Sequence, residues 1–424
     1  AVSSAENPPS AAAIPWTYRW AVLALLSVSL FANYYLFDSL GMVADVVMRE
    51  HKLSEVDYGL LSGAYNIAGA LALLVGGSLI DRLGTKRSIV LFGALSALAG
   101  LLTFAAPHFY LLLLARFILG LGGEPLGVAV STALARYWKS KDLAFAFGVN
   151  LTFARLGTVA VNRSPQWAPS AYAQATSRPA LLIAAGIGLI SLVAGVLNSR
   201  LEARAEQRLS LPPSGRQDRL SFGELRSFDV SYVYLTLVCL GFYCALFPFQ
   251  SFATKIFIES HRLSRQDAGA LLSYLPTTAM FLAPLFGLIV DRSGKRAVLL
   301  LCGLLLVAPV FPLLAIPSFP PQLPVLLLCL SFALIPAVLW PSVAMLVEEN
   351  RLGTAYALMT LLQQLALWVT SALLGLCNER AQASAQHPQG YAPGLWLLGG
   401  LCWVALLAAF LLFWREQKHQ PRRF

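Results

Sequence analysis

Gly77-Ser78-Leu79-Ile80-Asp81-Arg82-Leu83-Gly84-Thr85-Lys86-Arg87 returns 210 residues later as Gly287-Leu288-Ile289-Val290-Asp291-Arg292-Ser293-Gly294-Lys295-Arg296. In each copy an apolar run ends in a short turn that carries one acid, several bases and a glycine, and a second apolar run follows. A fainter echo, Ala144-Phe145-Ala146 against Ala355-Tyr356-Ala357, has an offset of 211. Two echoes with nearly the same offset mean that one unit occurs twice. In a membrane protein this is the mark of two halves related by an axis along the membrane normal.

The composition places that unit in lipid. Of 424 residues, 57% are hydrophobic and only 12% charged, with a mean hydropathy of +0.67. Soluble domains carry about 25% charged residues. Working outward from the two turns, twelve apolar spans of membrane-crossing length lie near 18–46, 55–80, 86–106, 109–135, 142–167, 178–199, 229–258, 266–290, 296–316, 322–347, 352–377 and 391–414. The expected fold is therefore an all-α membrane protein, with twelve transmembrane helices in two pseudo-symmetric six-helix bundles at 18–199 and 229–414. Residues 1–17 are rich in Ala, Pro and Ser and are expected to form a disordered cytoplasmic N-terminus. They lack the basic start of a secretory signal. Residues 200–228 form an Arg-rich cytoplasmic linker and 415–424 a basic cytoplasmic tail.

The net charge of +10 reads as topology. With the N-terminus inside, 21 of the 31 Lys and Arg fall on inner loops, ends and tail, and eight on the outer side. Arg116 and Arg155 alone stay deep in a span. Both termini are then cytoplasmic. The six cysteines lie in apolar runs without metal spacing. The five histidines fall in predicted loops. No catalytic triad, metal set or phosphate loop is visible, so an enzyme is not expected. Neither a cofactor nor a nucleic-acid partner is expected, and a unit with its own central cavity is expected to be a monomer in the bilayer.

Two spans carry opposite charges. Glu124 sits in Arg116-Phe-Ile-Leu-Gly-Leu-Gly-Gly-Glu124-Pro-Leu-Gly, about 15 residues into the fourth span. Arg155 sits in Gly148-Val-Asn-Leu-Thr-Phe-Ala-Arg155-Leu-Gly, about 13 into the fifth. At 1.5 Å per residue both come near the midplane, where a charge costs at least about 2.5 kcal/mol. They either neutralise one another as a bridge or bind a solute. A buried pair at best breaks even, so binding is favoured. Gly120, Gly122 and Gly123 allow close helix approach. Pro125 removes a helix donor beside Glu124, as a hinge or as packing.

The repeated turn resembles the signature of the major facilitator superfamily, Gly-x-x-x-Asp-Arg-x-Gly-x-Lys/Arg. Arg116, Gly120 and Gly122 are similar to its fourth-helix pattern, and the resemblance spans 18–414. A closer resemblance is to the branch called major facilitator superfamily domain-containing protein 1, a lysosomal dipeptide transporter with bacterial-like relatives. It is carried by Arg116 to Glu124, Ala154-Arg155-Leu-Gly157, Phe247-Pro248-Phe249 with Lys255, Leu339-Trp340-Pro341, Leu352-Gly353-Thr354-Ala355-Tyr356 and the cluster Tyr34-Tyr35-Leu-Phe37-Asp38. Both a bacterial inner membrane and a lysosomal membrane fit this reading.

The resemblance implies a secondary transporter moving dipeptides by alternating access, as a uniporter or with protons. A dipeptide is a zwitterion. Arg155 would grip its carboxylate with two parallel N–H bonds, and Glu124 or Asp38 would take the ammonium. Lys255 is a second candidate for the carboxylate, or else snorkels outward. Arg116 is implied to be a coupling or structural charge. Tyr34, Tyr35, Tyr243, Phe247, Gln250, Trp340, Gln363, Gln364 and Trp368 are candidates for aromatic walls and amide donors. Gly77, Asp81, Arg82, Gly84, Gly287, Asp291, Arg292 and Gly294 are implied to form a gating latch on the cytoplasmic side, with Gly77 and Gly287 allowing close helix contact. The alternative is an organic-anion transporter for sugar acids or mono- and dicarboxylates. Glu124 works against a dianion. A non-transporting receptor would have no use for a charged midplane.

Overall fold

The computed structural model describes residues 15–138, 141–173, 175–209, 228–348 and 351–419. Twelve helices are long and apolar enough to cross a membrane. In the first half they are α1 (Trp16–Met42), α2 (Glu55–Gly76), α3 (Arg82–Ala105), α4 (Phe109–Tyr137), α5 (Asp142–Asn162) and α6 (Arg178–Arg204). In the second half they are α7 (Val230–Glu259), α8 (Arg265–Ser293), α9 (Arg296–Leu314), α10 (Gln322–Leu346), α11 (Leu352–Arg380) and α12 (Pro388–Arg415). No strand occurs among the described residues. All twelve spans read from the sequence are present. The predicted tail before residue 15, the linker at 210–227 and the end of the chain after 419 lie outside the described residues.

Two expected spans are shorter in the structure. The run 18–46 breaks at Val43, and a separate short helix, Ala44–His51, follows. The run 142–167 ends at Asn162, and Pro165 and Pro169 each open a four-residue helix, Ser164–Trp167 and Pro169–Tyr172. Proline favours the first turn of a new helix and not the interior of an old one. α2 starts in a capping box: the Ser54 hydroxyl accepts the Asp57 N–H at 3.1 Å, and the Asp57 carboxylate accepts the Ser54 N–H at 3.0 Å.

The repeated stretch turns the chain in both halves. The helix from Glu55 to Ala105 is interrupted at Gly84, with φ 75° and ψ 162°. Its counterpart Gly294 ends α8 with φ 63°. A side chain would strain both positions. Nothing lies within 4 Å of where a Gly287 Cβ would stand, so Gly287 makes no close helix contact in this state. Asp291 is solvent-facing and paired with Arg296 of its own turn at 3.1 Å. Arg82 and Arg292 are exposed. In the first half, buried Glu202 of α6 accepts hydrogen bonds from Arg136 of α4 and from Thr85 of the turn.

The halves meet where α2 packs on α11 and α5 on α8. They are drawn together at the end opposite the chain termini, here the far end. Arg265 grips Asp45 with two bonds of 2.8 and 2.6 Å and also donates to the Met42 carbonyl at 2.7 Å. The Arg163 Nε donates to Ser273 at 2.8 Å, the Tyr58 hydroxyl to the Ser251 carbonyl at 2.9 Å, and the Val56 N–H to Glu379 at 3.0 Å. Beneath them Lys255 pairs with Glu55. At the end bearing the termini, Arg136–Glu202, Arg415–Asp229 and Arg351–Glu348 each join groups of one half.

Glycines set the closeness of the far end. A Cβ on Gly269 of α8 would collide with the Asn162 carbonyl of α5, and one on Gly375 of α11 with the Glu55 carbonyl of α2. Overpacking costs about 1–3 kcal/mol, and here separation of the halves relieves it. Gly269→Val is therefore expected to raise the maleimide labelling rate of a cysteine placed at buried Thr254 by about tenfold to a hundredfold, at 1.4 kcal/mol per factor of ten. An unchanged rate would mean that this contact does not hold the far end shut.

Candidate functional site

α4 is built around glycine. Gly120 and Gly122 lie against the backbone of α2 and α3, and a Cβ on Gly123 would stand 2.8 Å from the Tyr65 hydroxyl. The Pro125 ring packs 3.4 Å from the Cβ position of Gly76, and α4 runs unbroken past it. Pro125 thus serves packing and does not divide the helix. This close seating holds Glu124 at the middle of the 29-residue helix α4, facing a cavity between the halves.

The cavity has a volume of about 250 Å³ and takes its walls from both halves. Tyr34 of α1, Tyr65 and Asn66 of α2 and Glu124 of α4 line one side. Phe247 of α7, Trp340 of α10 and Gln363 and Gln364 of α11 line the other. The polar neighbours of the Glu124 carboxylate are the Tyr65 hydroxyl and the Gln364 side chain, both neutral. Tyr243 stands behind the aromatic wall: it stacks on Phe247 at 5.6 Å and accepts the Trp340 indole N–H at 2.9 Å. The Tyr356 hydroxyl donates to the Trp340 carbonyl at 2.9 Å, which steadies this wall from α11.

A second cavity of about 530 Å³ adjoins the first at Glu124, Gly127 and Thr360 and continues towards the end bearing the termini, past Ser131 of α4 to Gly353 of α11. The halves are thus closed at the far end and hollow at the other.

Arg155 does not reach Glu124. No ion pair joins them among the described residues, so the bridge considered from the sequence is not made in this state. The Arg155 guanidinium lies over the Phe332 ring of α10, 4.7 Å from its centroid, and is half-buried. Arg155 is not among the residues that line the two cavities beside Glu124.

Asp38, Arg116 and Gln250 meet elsewhere. They line a separate polar pocket of about 20 Å³ on the far-end side of the cavity, room for about one water. Asp38 is half-buried and shares this pocket with Thr158. Arg116 is 4% exposed, donates to the Phe37 carbonyl at 2.9 Å and lies over the Phe37 and Tyr65 rings. It braces α1 against α4 and is screened from the main cavity by those two rings.

Three expected positions are corrected. Lys255 is 6% exposed and is not among the residues lining the cavity. It is held by Glu55, by the Tyr391 hydroxyl at 2.9 Å and by Glu259 at 3.6 Å, so its anionic partners come from the protein itself. Tyr35 points into the packed interior of the first half with Val161 and Ala184. Tyr34 lines the cavity, whereas Tyr35, turned about 100° from it, falls on the side of α1 packed against α5 and α6. Trp368 lies against Gly63 of α2, in the seam and not in the cavity wall. Among the residues missed, Asn33, Tyr65, Asn66 and Thr360 line the cavity. A polar side chain in the middle of an apolar span was the available signal. Glu55 and Glu202 were missed because each sits at a span end, where an acid looks solvated.

Comparison with known proteins agrees with this arrangement. The family model described as Major Facilitator Superfamily matches residues 26–366 and 233–423. The chain is 30% identical over 371 residues to a Bos taurus protein named Lysosomal dipeptide transporter MFSD1, covering 85% of this chain and 79% of that one. It is 30% identical over 410 residues to the Danio rerio protein of the same name, covering 93% and 87%. Among solved structures, a bacterial homologue of the human lysosomal transporter Spinster superposes with a TM-score of 0.76 at 16% identity, over 97% of this chain and 99% of that one. With twelve apolar helices, a twice-repeated turn and a cavity walled by both halves, the chain belongs to the major facilitator superfamily of membrane transporters.

Proposed function

We propose that the protein carries dipeptides with both termini free across its membrane by alternating access. The observation that carries this reading is the acid that Glu124 presents to the cavity between the halves. Glu124 faces the cavity with neutral neighbours, and Arg155 has no carboxylate within ion-pair distance among the described residues. An acid and a base that each lack a charged partner among the described residues suit a solute with an ammonium at one end and a carboxylate at the other. Glu124 takes the ammonium, with Tyr65 and Gln364 fixing the carboxylate. Arg155 takes the peptide carboxylate with its planar fork. Trp340 and Phe247 give the peptide an apolar wall. Likeness to relatives named as dipeptide transporters supports the same cargo.

The state described is open towards the end bearing the termini, and the Lys and Arg distribution supports reading that end as the cytoplasmic side. The turns around Asp81 and Asp291 then act on the opposite state, as a latch that closes the cytoplasmic side. Exposed Asp291, bonded among the described residues to Arg296 of its own turn, suits a latch that is released. Asp38, beside Arg116 in its own small pocket, is placed to sense closure of the far end. Both uniport and proton-coupled cycles fit these residues.

A thermal-shift screen of the purified chain tests the cargo. Dipeptides at a hundred times their Kd are expected to stabilise it by about 2.7 kcal/mol through mass action. Free amino acids, N-acetylated dipeptides and C-amidated dipeptides are expected to give no shift. Stabilisation by mono- or dicarboxylates instead would select the organic-anion reading.

A further inference from the structure

The glycines of α4 are not alike. Gly120, Gly122 and Gly123 abut other helices, whereas nothing lies within 4 Å of where a Gly127 Cβ would stand. A glycine inside a helix costs about 1 kcal/mol relative to alanine, and at Gly127 no close packing offsets it. What Gly127 does face is the opening between the two cavities. It lines both, one turn from Glu124 and across from Thr360 of α11. Beyond the opening the walls are mostly apolar, with Leu73 and Leu74 from α2, Val128 from α4 and Ala357 and Leu361 from α11.

We propose that this second cavity is an apolar side-chain subsite for the first residue of the cargo, and that the missing side chain of Gly127 sets the largest group admitted. The inference rests on the dipeptide reading with its ammonium at Glu124. In a dipeptide the ammonium and the first side chain branch from the same carbon. An ammonium held at Glu124 therefore delivers that side chain to the neighbours of Glu124. One turn further along the same helix is Gly127, and past it lies a compartment of about 530 Å³. The second side chain stays in the first cavity beside Trp340 and Phe247.

The test measures Kd by titration calorimetry on the purified full chain with Ala-Ala, Phe-Ala and Ala-Phe. Gly127→Leu narrows the opening from α4, and Ala357→Leu narrows the compartment from α11. Each is expected to raise the Phe-Ala to Ala-Ala Kd ratio by about tenfold or more, the range that one or two methylenes decide in an apolar pocket. The Ala-Phe to Ala-Ala ratio is expected to move much less. If one variant fails to fold, the other reads the same ratio from the opposite wall. Both ratios unchanged in the folded variants, or both rising together, overturns the subsite. A co-purifying acyl lipid that occupies the groove while the ratios stay fixed overturns it as well. A wild-type chain that binds none of the three overturns the dipeptide reading together with the subsite. Binding with unmoved ratios overturns the subsite alone.

Discussion

Arg155→Ala is expected to abolish dipeptide uptake and leave the empty protein at least as stable as before. The two halves of that result have separate causes. Arg155 makes no ion pair among the described residues, and its visible partner is the Phe332 ring. Loss of a cation–π contact removes about 0.5–2 kcal/mol. Removing a charge from bilayer depth returns at least about 2.5 kcal/mol. The melting temperature of the empty chain should therefore hold or rise. Binding behaves differently. Truncating one member of a buried, hydrogen-bonded charge pair costs about 2–5 kcal/mol, which is a factor of roughly 30 to several thousand in Kd. Arg155→Lys keeps the charge without the two-pronged fork and is expected to fall between. Glu124→Gln should cost a similar factor, and it should lose discrimination against N-acetylated dipeptides, because the amide no longer favours a cation. Uptake measured in proteoliposomes, with melting curves on the same preparations, separates these outcomes. A folded Arg155→Ala chain with unchanged uptake would remove the carboxylate site from Arg155.

How much of this was legible beforehand depends on whether a residue's role is local. The turn at Gly84 and Gly294 was readable because it recurs, and in both copies the glycine adopts a positive φ for the same steric reason. Glu124 was readable because an acid in a glycine-rich apolar span must either find a base or face a polar cavity. The pairing of Lys255 with Glu55 was not. Those residues are 200 positions apart, in different halves, and no periodicity within one span encodes how the halves register. Glu55 stands in the first turn of α2, where an acid ordinarily complements the helix dipole. Tyr35 failed for a related reason: α1 is apolar almost all round, so its sequence does not mark which face meets the cavity. Gly127 looked like one more packing glycine until the space around it could be seen.

The second large effect is expected at Lys255. Lys255→Met should open the far end of the molecule, against the closure described here. Among the described residues Lys255 is the cation paired with Glu55 and Glu259, beside the Tyr391 hydroxyl and Asn378, which donates to Glu55 at 3.3 Å. This cluster crosses the seam, with Glu55 from α2 and the rest from α7, α11 and α12. Removing the cation leaves two carboxylates facing each other away from water. Breaking a buried pair in this way costs about 3–5 kcal/mol. The penalty falls on the closed far end alone, because parting the halves returns Glu55 and Glu259 to solvent on separate walls. The closed-to-open ratio should therefore drop by about two orders of magnitude or more. Glu55→Gln is expected to do much less, since Lys255 keeps Glu259 as its partner. The reporter is a cysteine at Thr254, 1% exposed, in a chain whose own six cysteines are replaced by alanine. Maleimide labelling from the far side should rise slightly with Glu55→Gln and steeply with Lys255→Met, while labelling from the side of the termini falls. Equal rates in all three chains would mean that the cluster is a passive ornament of the seam, and that closure is held by Arg265–Asp45 and the glycine contacts instead.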